Sequence, residues 1–474
     1  MRADRSRGAT PLRTVAWGAA LVTAAETTPA SASRSRGIAT IGGAPARIDA
    51  WLEARRGFAW ALVTVVFGLV ALVVVVPAAS GPGGVSPVDE FWYTDALDKA
   101  NRGELTNTGD KVDSYARQVM VCRGLIGVHP PSVVCGVPQP DASLPLNGYT
   151  AADIHPPTYF FLTAAVGKVI RLTGVTDDLL IAGRLVGALW LTLGMLAMVS
   201  LGRAWGAGWL VPVLTAVATG TSPLLVSVSG YLTPDALGLL VGAGVLLAVN
   251  WWQRGRLPAA LLLVAAVVPA LVKVPFVLAP LFGALLLLVA GLAGQTAWRR
   301  VLVGAALLVG GAGAGAVLWQ QLRGMLAVAD PVLHPGTDEP VGVSSFVRYL
   351  GYYLEMIPDS SGAPIPVAPT LAVAVMPFAW LLLAAALGGI LLRDREDRLL
   401  PVCWAGLSGM VLGSVVLSLI VLVASGGFLI GTPRYGLALL PLFAVPLMCT
   451  RHAIVVLVLL SSAAASVVSH ALLW

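Results

Sequence analysis

Two adjacent carboxylates, Asp89 and Glu90, follow an apolar run that ends near Ala79, in a chain with only 11% charged residues. Ionisable groups beside membrane spans are costly, so each is a candidate for chemistry. One of the two could act as a general base, or as a metal ligand, where a lipid substrate meets water. The alternative is a solvated loop, or a helix N-terminus after Pro87 that negative charge stabilises. The residues alone leave both interpretations open.

Two basic residues lie in similarly apolar surroundings. Lys273, one of four lysines, lies between Pro269 and Pro275, and Arg434 precedes Tyr435 at the start of an apolar run. A buried ammonium needs a partner or an aqueous cavity, and a guanidinium can hold a phosphate through two hydrogen bonds. Both cations are therefore candidates for binding an anionic headgroup such as phosphate, with Tyr435 beside it. The alternatives are snorkelling of Lys273 to the surface and interfacial anchoring by Arg434 and Tyr435.

Further polar candidates carry weaker signals. Asp235 is a candidate for substrate binding; it follows a Thr-Pro pair at a predicted helix start, where N-capping is the simplest account. Asp153 and His155, in "ADIHPPTY", could bind a metal ion or a sugar hydroxyl, and Tyr159 is a further substrate-binding candidate. No zinc motif, phosphate-binding loop, G-x-S-x-G elbow or dinucleotide fingerprint occurs in a suitable context.

The elements that carry these residues are predicted to be membrane spans. The chain has 474 residues, 57% of them hydrophobic, and a mean hydropathy of +0.84. Its net charge of +6 is spread over short basic clusters and forms no continuous face, which argues against a nucleic-acid partner. Placing the arginine clusters in the cytoplasm gives a consistent topology, with the N-terminus inside and the C-terminus outside. About eleven helices result, at 57–79, 178–202, 207–227, 233–252, 257–272, 275–293, 301–320, 367–391, 399–424, 435–450 and 453–473.

This topology gives an all-α polytopic membrane protein. Residues 1–56 are predicted as a disordered cytoplasmic tail and 57–474 as the transmembrane domain, with outer loops at 80–177 and 321–366. The first outer loop carries the carboxylates, and its segment 155–172 has too few apolar residues to cross, so we expect a juxtamembrane helix. Cys122 and Cys135, in the same loop, could form a disulfide that stabilises the fold by about 3 kcal/mol.

Five motifs follow one another along the chain, and each falls on the outer side of this topology: "VDEFWYTDALDKANRGEL", "HPPTYFFL", "SGYLTPDALGLL", "LVKVPF" and "PRYGLALLPL". In this order the chain, over about 57–450, resembles the GT-C superfamily of membrane glycosyltransferases, in particular an uncharacterised bacterial branch. The resemblance implies an enzyme of the bacterial plasma membrane that takes a sugar from a polyprenyl-phosphate carrier. Transfer to a glycan or glycolipid of the cell envelope would occur on the outer face, with inversion.

The resemblance also implies roles for individual residues. Asp89, or Glu90, matches the acidic residue of the first outer loop, which acts as the base toward the acceptor hydroxyl. Lys273 and Arg434 would then neutralise the lipid phosphate that leaves. Many relatives use a divalent cation (Mg, Mn or Ca), for which Asp89 and Asp153 are the candidate ligands. The second acidic motif of the family reads "DIHPP" here, with Asp153 or His155 at that place, so the sequence leaves metal dependence open.

Two other classes of function compete with this one. A transporter or flippase of a lipid-linked sugar would use the same cations, but such proteins have inverted repeats and polar residues near the midplane. This chain has no evident repeat, and its polar residues collect at one face, which favours an enzyme. A structural envelope subunit would not need the outer carboxylates. The excess of Arg over Lys is typical of high-GC bacteria, in which arabinose or mannose carriers serve the envelope, and favours an arabinosyltransferase or a mannosyltransferase.

Overall fold

The structure is a computed structural model, and it describes residues 39–80, 84–86, 89–125, 135–137, 140–329, 342–358, 369–425, 432–450 and 452–473. Contacts divide the chain into Met1–Ile41 and Gly42–Trp474. In the first unit only residues 39–41 are described, as the first turn of a helix. Residues 1–38 of the predicted tail, and 330–341 and 359–366 of the predicted second outer loop, lie outside the described residues.

The described residues are helical, with two isolated β-bridges and no β-strand among them. The described residues form seventeen α-helices: α1 Ala39–Ala54, α2 Arg56–Ser80, α3 Glu90–Arg102, α4 Ser114–Arg123, α5 Thr158–Leu172, α6 Leu179–Ala204, α7 Leu210–Gly220, α8 Pro223–Gly230, α9 Gly238–Gln253, α10 Ala259–Val272, α11 Leu278–Leu292, α12 Trp298–Met325, α13 Val343–Arg348, α14 Pro369–Leu392, α15 Leu400–Ser425, α16 Leu440–Met448 and α17 Ala453–Leu473. Short 3₁₀ helices occur at Asp141–Ser143, Pro145–Gly148, Ala152–Ile154, Pro234–Leu237, Val274–Val277, Tyr352–Glu355 and Pro433–Leu439.

Seven stretches of the described chain are long and apolar enough to cross a membrane, and the prediction of a polytopic all-α membrane protein is confirmed at this level. They are Arg56–Ser80, Leu179–Ala204, Pro234–Gln253, Val274–Leu292, Trp298–Met325, Val375–Leu392 and Leu400–Ala424. The predicted span 207–227 is instead a pair, α7 and α8, bent by 65°, with Pro223 at the first position of α8. Counting this pair as one span gives eight. Three other predicted spans coincide with shorter apolar helices, so the count of eleven remains a prediction.

The prediction of a disordered tail is wrong for residues 39–56, which form α1 and the start of α2. Two carboxylates hold α1 in place. Asp49 accepts hydrogen bonds from the backbone N–H groups of Trp209 (2.7 Å) and Leu210 (2.9 Å) at the start of α7. Glu53 accepts from the Trp209 indole (3.0 Å) and pairs with Arg203. These partners lie 150 to 161 residues away in sequence. Local composition, which indicated disorder, therefore could not show the contacts that stabilise α1.

Three breaks beside apolar helices lie at one end of the helical unit, and each carries a charged residue. Asp235 lies in the 3₁₀ turn before α9, and Lys273 has an extended backbone between α10 and the 3₁₀ turn before α11. Arg434 lies in the 3₁₀ helix before α16. Each turn has a proline at its start: Pro234 and Pro433 are first residues, and Pro275 is the second residue of its turn. Proline is favoured at the start of a helix and cannot continue a preceding one. The Pro433–Leu439 segment contacts both other turns.

Two glycines set how closely these turns approach the long helices. A Cβ at Gly187 of α6 would lie 1.9 Å from the Ser229 carbonyl oxygen, just before the turn that carries Asp235. A Cβ at Gly242 of α9 would lie 2.0 Å from the Ala438 carbonyl oxygen, in the turn that carries Arg434. Backbone is therefore packed directly on helix backbone at both places, and no larger residue fits without a shift.

Candidate active site

Glu90, the first residue of α3, is completely buried and fully bonded. Its carboxylate accepts from Nε (2.8 Å) and Nη2 (2.7 Å) of Arg184, a residue of α6 that is itself 0% exposed. Backbone N–H groups of Ser86 (2.7 Å) and Leu232 (2.9 Å) complete the set. A carboxylate with four donors in a closed site holds its neighbours together and has no face left for a substrate. We therefore assign a structural role to Glu90, which the sequence offered as an alternative base.

Asp89, one residue earlier, has a different environment. Its backbone is in the left-handed region (φ 68°), and its side chain does not cap α3. The carboxylate is 32% exposed, and its Oδ2 accepts from Nη2 of Arg434 at 2.6 Å. Asp89 thus combines an anchored oxygen with access to the surface, which a base toward a bound hydroxyl requires.

Lys273 and Asp235 form a buried pair beside this one. Both side chains are 0% exposed, and Nζ of Lys273 lies 2.6 Å from Oδ1 of Asp235. The other carboxylate oxygen accepts from the Thr233 hydroxyl (3.0 Å) and lies 3.7 Å from Nη1 of Arg434. Lys273 and Arg434 also lie 5.0 Å and 5.3 Å from the centre of the Tyr435 ring, within cation–π distance.

The four charges alternate in sign along a line of contacts from Asp89 through Arg434 and Asp235 to Lys273, and we call these four residues the charge relay. The sequence predicted that Asp89, Lys273 and Arg434 line one pocket. The structure brings them into a single network, although 345 residues separate Asp89 from Arg434. Each cation already has a carboxylate partner, as a buried charge requires. A phosphate that enters must share these cations with the carboxylates.

Comparisons with known proteins give two structural neighbours. No family model matches the chain, and no curated protein matches it. An ArnT from Cupriavidus metallidurans, bound to undecaprenyl phosphate, is 15% identical with a TM-score of 0.43 over 82% of this chain. The arabinofuranosyltransferase AftD from Mycobacteria is 18% identical with a TM-score of 0.45 over 86% of this chain. The chain spans 59% of the ArnT chain and 26% of the AftD chain.

Tyr93 and His155 lie behind Asp89. The Tyr93 hydroxyl donates to Oδ2 of Asp89 (3.3 Å) and is hydrogen-bonded to Nε2 of His155 (2.8 Å). Burial, and secondly the charge of Asp89, raises the pKa of the Tyr93 phenol well above 10. Tyr93 therefore stays a neutral donor over the working pH range. His155, a predicted substrate-binding residue, is connected to Asp89 through this phenol.

Asp153 and Tyr159 support the site from further away. Oδ2 of Asp153 accepts from the Thr108 hydroxyl (2.8 Å) and from Nη2 of Arg323 (2.8 Å), at the last turn of α12. The Tyr159 hydroxyl accepts from the backbone N–H of Thr233 (3.2 Å), next to the turn that carries Asp235. Among the contacts described, both side chains bind the protein's own groups, so the structure gives them positioning roles.

The predicted metal pair does not form an arranged site. Asp89 is bonded to Arg434 and Asp153 to Arg323, whereas a divalent cation needs several convergent oxygen ligands. Within the described residues no group of three or more His, Cys, Asp or Glu side chains converges on one point. Among the described residues, these side chains do not fit a resident divalent cation. The predicted disulfide between Cys122 and Cys135 is formed, with the two Cα atoms 4.8 Å apart.

Sequence reasoning missed Arg184, Tyr93 and Arg323. Arg184 lies inside the predicted span 178–202, and an arginine within an apolar run is itself a signal for a buried partner. Tyr93 carried no such signal, because tyrosine is common at membrane interfaces. Its role depends on the turn of α3 that separates it from Asp89, which brings residues four apart onto one face.

Proposed function

We propose that this chain is an inverting glycosyltransferase that moves a sugar from a polyprenyl-phosphate carrier to a hydroxyl of a glycan or glycolipid. The observation that carries the proposal is the charge relay, in which one half-accessible carboxylate shares an arginine with a buried Asp–Lys pair. This arrangement provides a base and a phosphate-binding group at adjacent positions. A sugar linked to a phosphate needs no further activation, because the phosphate is already a good leaving group.

The chemistry follows from these positions. Asp89 removes the proton from the acceptor hydroxyl as its oxygen attacks the anomeric carbon. The bond between that carbon and the phosphate oxygen breaks on the opposite face, and the phosphate keeps the electron pair. One displacement from the opposite face inverts the configuration. The anomeric carbon needs no covalent enzyme intermediate, so one carboxylate is sufficient.

Arg434 connects the two ends of this reaction. Before transfer one negative charge is on Asp89, and after transfer Asp89 is protonated while the phosphate has gained one negative charge. A guanidinium has donors on two sides, so Arg434 can contact the carboxylate and the leaving phosphate together. The charge therefore moves between two partners of the same cation, and such fixed charge stabilisation is a large part of enzymatic rate enhancement.

The positive-inside rule supports an active site on the outer face. Asp235 lies at the start of the Pro234–Gln253 span, and Arg254 and Arg256 follow its other end. Lys273 precedes the Val274–Leu292 span, and Arg299 and Arg300 follow that one. If the arginine ends are cytoplasmic, the charge relay lies at the outer ends of both spans, and the enzyme is a multi-pass protein of the bacterial plasma membrane. The arginine-rich composition favours arabinose or mannose as the sugar.

The test is transfer of labelled sugar from polyprenyl-phosphate donors in membranes that contain the Asp89→Asn variant. We expect transfer to fall by about 100- to 10,000-fold, the usual contribution of a general base. Asp98→Asn is the matched control, because Asp98 is on the same helix and pairs with the surface residue Arg102. Full transfer by Asp89→Asn would refute the base assignment. Movement of donor lipid across the bilayer without glycoside formation would favour a flippase instead.

A further inference from the structure

Asp235 differs from Asp89 in ways that give it a separate role in the charge relay. It is 0% exposed, whereas Asp89 is 32% exposed. Its carboxylate is held by Lys273, by the Thr233 hydroxyl and, at a longer distance, by Arg434. A carboxylate at this place cannot reach an acceptor hydroxyl, and it repels a phosphate. Its presence between two cations that would bind an anion therefore needs an explanation.

The net charge of the buried residues explains the presence of Asp235. Lys273 and Arg434 carry two positive charges, and Asp235 removes one, so these three residues, which we call the cationic core, carry a net charge of +1. Asp89 is left out of the count because water reaches its carboxylate and because its charge is consumed during transfer. The aromatic neighbour of both cations, Tyr435, is an uncharged phenol. In a buried site each uncompensated charge is costly, so a net charge of +1 matches one negative charge on the ligand.

We propose that Asp235 is a specificity-determining residue that restricts the donor to a phosphodiester with a single negative charge. A sugar joined to a lipid through one phosphate has that charge, whereas a sugar joined through a pyrophosphate has two. This inference rests on the proposed function, because it presumes that the cationic core binds the donor phosphate. It adds the number of phosphates in the donor and the residue that selects it.

The experiment measures binding, without the need to know the sugar. The probes are farnesyl methyl phosphate, with one negative charge, and farnesyl methyl pyrophosphate, with two, on the same lipid. Dissociation constants are measured on the purified full chain in detergent with a chelator present, so that no metal ion masks the second charge. The wild type should bind the monophosphate more tightly by about tenfold or more.

A ladder of variants changes the charge of the cationic core. Asp235→Asn makes it +2, Lys273→Met makes it 0, and the double variant returns it to +1. The preference for monophosphate should fall about tenfold or more in Asp235→Asn and should return in the double variant, although both probes then bind more weakly. Asp98→Asn changes the total charge of the protein by the same amount away from the site and should leave the preference unchanged.

The comparison of Lys273→Met with the double variant covers the case in which Asp235→Asn does not fold, since the double variant leaves no lone buried charge from the pair. These two proteins differ only in the charge of Asp235, and their preferences should differ by about tenfold or more. Equal preferences would overturn the inference and leave Asp235 as a structural partner of Lys273. Failure of the folded wild type to bind either probe would overturn the proposed function itself.

Discussion

The neighbours Asp89 and Glu90 head two ion-pair networks that are built in opposite ways. The Glu90–Arg184 pair is closed: both side chains are 0% exposed, and the carboxylate has four donors. The Asp89–Arg434 pair is open, with a carboxylate 32% exposed and a guanidinium 13% exposed. Burial and the number of hydrogen bonds thus give two adjacent carboxylates different roles: Glu90 stabilises the fold, and Asp89 is available for chemistry. The adjacent position in sequence says nothing about this division.

The largest expected effect is on stability, for Glu90→Gln. Removing one partner of a buried ion pair leaves Arg184 with an uncompensated charge, which costs about 3–5 kcal/mol. Thermal unfolding of the detergent-solubilised protein measures this loss, and Asp89→Asn should unfold close to the wild-type temperature. Replacing both partners, as Glu90→Leu with Arg184→Met, should recover part of the loss. A stable Glu90→Gln protein that cannot transfer sugar would reverse the roles assigned to the two carboxylates.

The next effect tests the open network through Arg434→Lys. An ammonium keeps the positive charge but cannot contact Asp89 and Asp235 with the planar fork of a guanidinium. We expect kcat/KM for the donor to fall about tenfold to hundredfold, with little change in folding. Arg102→Lys is the matched control, because Arg102 also binds several carboxylates, but at the surface. Equal activity of Arg434→Lys and wild type would show that the two-sided contact is unimportant.

A smaller effect is expected for Tyr93→Phe. This change removes one hydrogen bond to Asp89 and one to His155 while the ring remains packed. The loss in transfer rate should be about 0.5–1.5 kcal/mol, or a few-fold, because only the hydrogen bond to Asp89 acts on the reacting carboxylate, and at 3.3 Å it is a long one. Steady-state kinetics measure it against Tyr115→Phe, which removes a phenol that donates to Asp178 and not to Asp89. A loss as large as that of Asp89→Asn would make Tyr93 a direct participant in proton transfer.

The smallest effect is expected for metal removal. Asp89 and Asp153 each bind an arginine, so a chelator should change the transfer rate by less than about twofold. The assay compares EDTA-treated membranes with membranes given excess Mg²⁺ or Mn²⁺. Activity that disappears with EDTA and returns with either ion would mean that the carboxylates exchange their arginines for a metal when substrate binds.

Much of the fold could be predicted because long apolar runs have few alternatives to membrane helices. The α7–α8 bend could not, since its composition is that of a straight span and only Pro223 indicates a break. The folding of α1 was missed because its stabilising contacts, through Asp49 and Glu53, come from residues distant in sequence. Local composition carries no information on such contacts.

The sequence indicated which residues form the site, but it did not indicate which carboxylate pairs with which cation. Charged residues in apolar surroundings are rare, so Asp89, Lys273 and Arg434 could be selected from the sequence. Which carboxylate meets which cation depends on how the three proline turns pack, and this depends on tertiary structure. The different roles of Asp89 and Glu90 depend on Arg184, which binds Glu90 and which the predicted topology placed inside a membrane span.

The close backbone packing at Gly187 and Gly242 has a consequence for genetics. Neither residue has a polar side chain or contacts the charge relay. Each nevertheless sets how closely the backbone at, or just before, a turn of the charge relay packs against a long helix. A screen for inactive alleles should therefore recover Gly187→Ala and Gly242→Ala together with changes at charged residues. Such alleles would lie in the apolar helices α6 and α9 and would resemble catalytic defects in their phenotype.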